Sequence, residues 1–164
     1  MTLPDLDVEL PSLDQVGFVV RDLEDGAERF RSLLGVGPWT VWAFEPPDLT
    51  ERTYRGVPAH FTMRVAVATV GDVMLELVEP GEGPSVHRDF LDDHGEGLHH
   101  VACFSFEDTE RVVGTLADAG APVVQRGRFG DATFVYLDTT DLLNGVMFET
   151  GTAIDAVPAP DGQL

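Results

Sequence analysis

Residues 98–106, Leu98-His99-His100-Val101-Ala102-Cys103-Phe104-Ser105-Phe106, read as a strand, and Glu107 to Gly120 then reads as a helix with Val112, Val113, Leu116 and Ala119 inward and Gly120 closing it. The start of the chain has the same order. Leu13-Asp14-Gln15-Val16-Gly17-Phe18-Val19-Val20-Arg21 is apolar and β-branched after the turn-like Pro11-Ser12. Asp22 to Gly35 follows, with Leu23, Ala27, Phe30 and Leu34 spaced for one helical face, Asp22 placed as an N-cap and Gly35 as a stop. After each helix the pattern changes to strands, at 38–45, 61–70 and 73–79 in the first half and at 122–127, 132–138 and 145–150 in the second. Val73-Met74-Leu75-Glu76-Leu77 also lines up with Val146-Met147-Phe148-Glu149-Thr150, so both ends of the unit repeat.

The expected fold is therefore α+β, built from two tandem β-α-β-β-β modules within a single domain at 12–151. Module 1 covers about 12–80 and module 2 about 98–151. Residues 81–97 form the linker, with a short helical segment at 85–93. The stretch 46–60, with Pro46, Pro47, Gly56 and Pro58, reads as extra loop, and 1–11 and 152–164 as mobile tails.

Composition narrows the function. The chain has 164 residues and a net charge of −19, from 29 acids against 10 bases, and every base is Arg. Such a charge disfavours sequence-independent binding to nucleic acid or anionic lipid. Asp exceeds Glu and Lys is absent, a composition that resembles proteins of salt-loving organisms. The single Cys103 cannot form an internal disulfide, no run approaches 18 apolar residues, and the amino terminus is acidic where a signal peptide needs basic residues. A cytoplasmic protein that is not membrane-bound is the expectation.

If the halves superpose, Gln15 corresponds to His100 and Glu76 to Glu149. Glu76 lies between Leu75 and Leu77, and Glu149 between Phe148 and Thr150, which are poor places for a carboxylate unless it faces a cavity or a ligand. Two carboxylates converging with one imidazole and one amide suit a divalent cation, with Zn, Mn, Co, Ni and Mg all compatible. His99 alternates to the opposite strand face, which gives it a packing or supporting role, while His87 and His94 read as solvated. Trp39, Trp42, Phe44 and Phe61 are candidates to line a cleft, and Arg52, Arg55 and Arg64 to meet an anionic substrate. No nucleophile elbow or phosphate-binding loop is present.

These residues resemble the vicinal oxygen chelate superfamily, which includes glyoxalase I, methylmalonyl-CoA epimerase, extradiol dioxygenases and bleomycin-resistance proteins. The resemblance covers about residues 12–151. It is carried by Leu13-Asp14-Gln15-Val16-Gly17, Glu76-Leu77-Val78-Glu79-Pro80 and Gly95-Glu96-Gly97-Leu98-His99-His100, and it is greatest to methylmalonyl-CoA epimerases. It implies paired modules forming a cleft around one divalent metal held by Gln15, Glu76, His100 and Glu149. It also implies an isomerase that removes a proton beside a carbonyl, with a small-molecule substrate such as an acyl-CoA and a homodimeric state. Gln15 stands where the epimerases usually carry His, and the set Gln, Glu, His, Glu is similar to that of zinc glyoxalase I, so a glyoxalase-type lyase is the alternative. A non-enzymatic small-molecule binder is the third. Glu149 is the expected proton-transfer group with Glu76 opposite it, and His60 falls nearest the position where epimerases place another catalytic carboxylate.

Overall fold

Asp22 caps the first helix as its spacing predicts, its carboxylate accepting from the Asp25 amide at 2.8 Å, and Gly35 ends that helix in the left-handed region at φ 68°. In this computed structural model, which describes residues 2–164, the helix is α1 (Leu23–Leu34) and follows strand β1 (Gln15–Val19). Strands β2 (Thr40–Phe44), β3 (Leu49–Tyr54), β4 (Val57–Pro58), β5 (Met63–Val70) and β6 (Val73–Pro80) complete the first half. Helix α2 (Val86–His94) lies in the linker. The second half holds β7 (Gly97–Cys103), α3 (Thr109–Asp118), β8 (Val123–Phe129), β9 (Ala132–Leu137) and β10 (Met147–Thr152), then a 3₁₀ turn at Ile154–Ala156 and β11 (Gly162–Gln163). No helix among the described residues is long and apolar enough to cross a membrane.

All strands join one mixed sheet in the order β11-β2-β5-β6-β1-β7-β10-β9-β8-β3-β4. Within each half the first and last strands pair in parallel, β1 with β6 and β7 with β10, and the halves meet where β1 runs antiparallel to β7. Register makes the duplication explicit. Gln15 pairs with Met74 and Gly17 with Glu76, just as His100 pairs with Met147 and Ala102 with Glu149. The equivalence of Gln15 with His100, and of Glu76 with Glu149, is thus built into the pairing.

The apolar residues divide into three clusters. Leu23 and Ala27 of α1 pack with Trp39, Ala66 and Leu77 on the outer face of module 1. Val113 of α3 packs with Cys103, Val135 and Phe148 on the outer face of module 2. The third cluster, including Met63, Val65, Val78, Phe129, Phe134 and Tyr136, joins both modules. Phe44 of β2 stacks on Phe129 of β8 with ring centroids 3.8 Å apart, although six strands separate them in the sheet order. The sheet therefore curls until the inner faces of its two wings touch, and the site lies inside that curl.

Several expectations are corrected. The stretch 46–60 is not only loop: it contains β3 and β4, because Leu49 buries itself and β3 pairs with β8. Residues 152–164 pack back instead of trailing, since Trp42 Nε1 donates to the Pro158 carbonyl, β11 pairs with β2, and Leu164 joins the α1 cluster. Trp39 sits behind α1, with Nε1 donating to the Val36 carbonyl, and so does not line the cleft.

Candidate metal centre

Each predicted ligand comes from one of the four central strands: Glu76 from β6, Gln15 from β1, His100 from β7 and Glu149 from β10. All four are buried, with exposures of 7, 4, 0 and 5% in that order. They converge on one atom. His100 Nε2 is 3.0 Å from Glu76 Oε2, 3.0 Å from Glu149 Oε2 and 3.3 Å from Gln15 Oε1.

A single ring N–H cannot serve three oxygens, and both Glu76 Oε2 and Glu149 Oε2 are buried without a well-formed hydrogen bond. Orphaned carboxylate oxygens this deep are costly, by several kcal/mol, unless something compensates their charge. Ligand atoms about 2.1 Å from a shared cation stand roughly 3.0–3.4 Å from one another. The observed separations fall in that range, and Glu76, His100 and Glu149 satisfy the chemistry of a cation-binding group. The residues present fit a divalent metal.

Electrostatics point the same way. Burial pulls His100 down, but the charge of Glu149 and the close approach of the Glu149 and Glu76 carboxylates to its Nε2 outweigh it and hold the imidazole at about 9. Burial raises Glu149, an effect that the His100 charge opposes. Burial also pushes the Tyr136 hydroxyl well above its usual range, so Tyr136 stays a neutral donor beside Glu149.

Gln15, Glu76 and Glu149 line a cavity of about 40 Å³, whose walls include Phe44, Phe129, Phe134 and Tyr136 and whose rim includes Ile154 and Val157 of the C-terminal segment. Of the aromatics proposed for the cleft, Phe44 is in this wall, while Phe61 is fully buried in the neighbouring inner cluster. His60 is not brought to this cavity. It is exposed, and its Nδ1 lies 3.2 Å from an Arg52 nitrogen. The three arginines singled out are likewise engaged: Arg52 donates to the Phe61 carbonyl, Arg55 pairs with Asp89, and Arg64 pairs with Glu24 and Glu79.

Three residues matter that the periodicity did not reveal. A Cβ on Gly17 would lie 2.0 Å from His100 Cε1 and 2.1 Å from Nε2, so the imidazole occupies the space a side chain at 17 would take. His87, read as solvated, is fully buried, its ring meeting Tyr136 edge-on at 5.0 Å. His99 is also buried and turns toward His100 instead of away, because β7 has a bulge there: Gly17 pairs with His100 and Phe18 with Leu98, leaving His99 outside the register.

Comparison with known proteins agrees with this architecture. The family profile of the Glyoxalase/Bleomycin resistance protein/Dioxygenase superfamily matches residues 14–136. The chain belongs to that superfamily. An uncharacterized protein of Bacillus subtilis, YqjC, is 31% identical over 90 residues, which is 55% of this chain and 54% of that protein, so the match spans about half the length of the relative. Among solved structures, a hypothetical protein from Bacillus halodurans is similar at TM-score 0.63 and 19% identity, covering 90% of this chain and 98% of that one. A Streptomyces coelicolor methylmalonyl-CoA epimerase in complex with 2-nitronate-propionyl-CoA is similar at TM-score 0.61 and 23% identity, covering 89% and 99%. The methylmalonyl-CoA epimerase of Mycobacterium tuberculosis is similar at TM-score 0.59 and 24% identity, covering 92% and 90%. At these identities the likeness shows the fold.

Proposed function

We propose that the protein is a metal-dependent epimerase or isomerase that moves a proton at a carbon beside a carbonyl, with an acyl-CoA thioester as the substrate class. The observation that carries this reading is the placement of Glu76 and Glu149, repeat-related carboxylates from opposite modules, each 3.0 Å from the same His100 nitrogen and both lining one cavity. A divalent cation held by Gln15, Glu76, His100 and Glu149 would act as a Lewis acid that polarises the substrate carbonyl and acidifies the adjacent C–H.

The chain's own residues do the rest. Glu149, whose proton affinity burial raises, takes the proton at Oε1, the oxygen that the cation group leaves free, and its neutral form is the one the apolar wall favours. Glu76, reaching the cavity from the other module, delivers its proton to the opposite face, so a turnover in this direction begins with the proton on Glu76 and ends with it on Glu149. The Tyr136 hydroxyl stays protonated and orients the Glu149 carboxyl. Phe44, Phe129 and Phe134 exclude water from the reacting carbon. His60, exposed and held by Arg52, has no part in this scheme.

The test is incubation of metal-reconstituted protein with (2R)- or (2S)-methylmalonyl-CoA in heavy water at high salt, where the repulsion between a −19 chain and an anionic substrate is screened. Deuterium at the α-carbon is expected, and Glu149→Gln slows its uptake at least about 100-fold, the usual contribution of a general base. The metal content of that variant is measured in the same sample, so that loss of the base is told apart from loss of a ligand. Bound metal without exchange would overturn the epimerase reading. The alternative is then a glyoxalase-type lyase, which the amide of Gln15, 3.3 Å from His100 Nε2, favours over an all-His and carboxylate set.

A further inference from the structure

We propose that His99 positions the metal ligand His100 by accepting the proton on its Nδ1, and so fixes the tautomer in which Nε2 is free to bind a cation. The role rests on the metal reading of the centre, but its readout is metal affinity and proton position instead of turnover.

Strand alternation would send neighbouring imidazoles to opposite faces. The β7 bulge cancels that alternation and brings His99 Nδ1 to 2.9 Å from His100 Nδ1, with both rings buried. A hydrogen bond between two ring nitrogens holds one proton. A neutral imidazole whose Nε2 presents its lone pair alongside Glu76, Glu149 and Gln15 carries its proton on Nδ1, and His99 Nδ1 is the acceptor at hydrogen-bond distance. In the opposite arrangement His99 would donate, the His100 proton would sit on Nε2 among the carboxylates, and the cation's place would be taken.

His99 is suited to accept. Its ring packs against His87, with centroids 4.9 Å apart, and against Phe90 in a T-shaped contact at 5.2 Å, and burial keeps it uncharged. Its other nitrogen, Nε2, is buried without a hydrogen-bond partner, so the contact with His100 is the one polar contact the ring makes among the described residues.

Two other features yield to this one. His87, His99 and His100 lie close enough to suggest a second cation site, yet the His99–His100 bond already occupies a nitrogen on each ring, and His100 Nε2 belongs to the first centre. The cavity of about 150 Å³ on the far side of His99 has acidic walls, but Asp89 is taken by Tyr54 and Arg55, and Asp138 by Thr140.

The test is the Zn²⁺ affinity of the full chain, measured by competition with a chelator at fixed pH. His99→Leu removes the acceptor and is expected to weaken binding 10- to 100-fold, the usual effect of losing a ligand's supporting hydrogen bond. His99→Asn, which places an amide oxygen near the lost nitrogen, is expected to restore affinity to within about threefold of the original. Unchanged affinity in the Leu variant, or equal loss in both, would overturn the proposal. Nitrogen-15 NMR of the zinc-loaded wild type checks the same point without mutation. A proton on His100 Nδ1 supports the role, whereas a proton on His99 Nδ1, or zinc on His100 Nδ1, contradicts it. Retained affinity differences with no α-proton exchange would leave His99's role standing and remove only the proposed reaction.

Discussion

Gly17 is the residue on which the centre most depends without contributing a ligand atom. It pairs with both Glu76 and His100, and the His100 ring occupies the space that a Cβ at this position would take. Its counterpart in module 2 is Ala102, which faces the longer but thinner Gln15 side chain across the same strand pair. Gly17→Ala places a methyl group inside the space of the imidazole, so His100 must swing away. The expected result is a folded chain, checked by circular dichroism, with metal affinity reduced at least about 100-fold, since losing one ligand's orientation alone costs 10- to 100-fold. The convergence of Gln15, Glu76, His100 and Glu149 was legible because the repeat superposes them and because a carboxylate between apolar neighbours needs a reason. Gly17 was not, since a strand glycine has several readings and only three-dimensional proximity to His100 selects one.

Among the elements, those set by local chemistry were readable. The caps of α1, the 3.6-residue spacing of α1 over Leu23, Ala27 and Phe30 and that of α3, and the strand pairs flanking them follow from sequence, whereas Leu34, expected on the same face of α1, is exposed. Misread elements depend on distant partners. β3 exists because β8 offers an edge and Phe129 a surface for Leu49, and neither fact is visible within residues 46–60. β11 and the turn at Ile154–Ala156 form because Trp42 and the free edge of β2 bind them, whereas their own composition, rich in Pro, Gly and Asp, reads as tail. The β7 bulge was also hidden. Nothing in Leu98-His99-His100-Val101 breaks the alternation, and the extra residue appears only in the register against β1. That bulge decides whether His99 is a surface-facing neighbour or part of the centre.

For the whole molecule, buried imidazoles give metal-free stability a definite pH profile. His100 is raised to about 9 from an ordinary value of 6.5, so its stabilising contribution is complete below 6.5 and is lost as pH climbs toward 9. The raised Glu149 has the same sign. His87 and His99 are lowered by burial, so their contribution is present above 6.5 and is lost as pH falls, when the unfolded chain takes up protons the folded chain refuses. Metal-free protein is thus expected to be most stable near pH 6.5. On the alkaline side His100 alone gives a limiting slope of about 1.4 kcal/mol per pH unit. Denaturant titrations across pH at constant high salt check this, and saturating metal is expected to remove the alkaline decline, because the cation replaces the proton on His100. A flat profile in metal-free protein would contradict the buried, partnered state of these rings.

The central claim is that four residues from two duplicated modules hold one cation. Elemental analysis of protein purified without chelators in high salt, alongside His100→Ala prepared identically, tests it most directly. One divalent metal per wild-type chain and almost none in His100→Ala is the predicted result. A wild-type chain that carries no metal even after reconstitution with zinc, cobalt, nickel, manganese and magnesium, or a His100→Ala chain that carries as much as wild type, would contradict it.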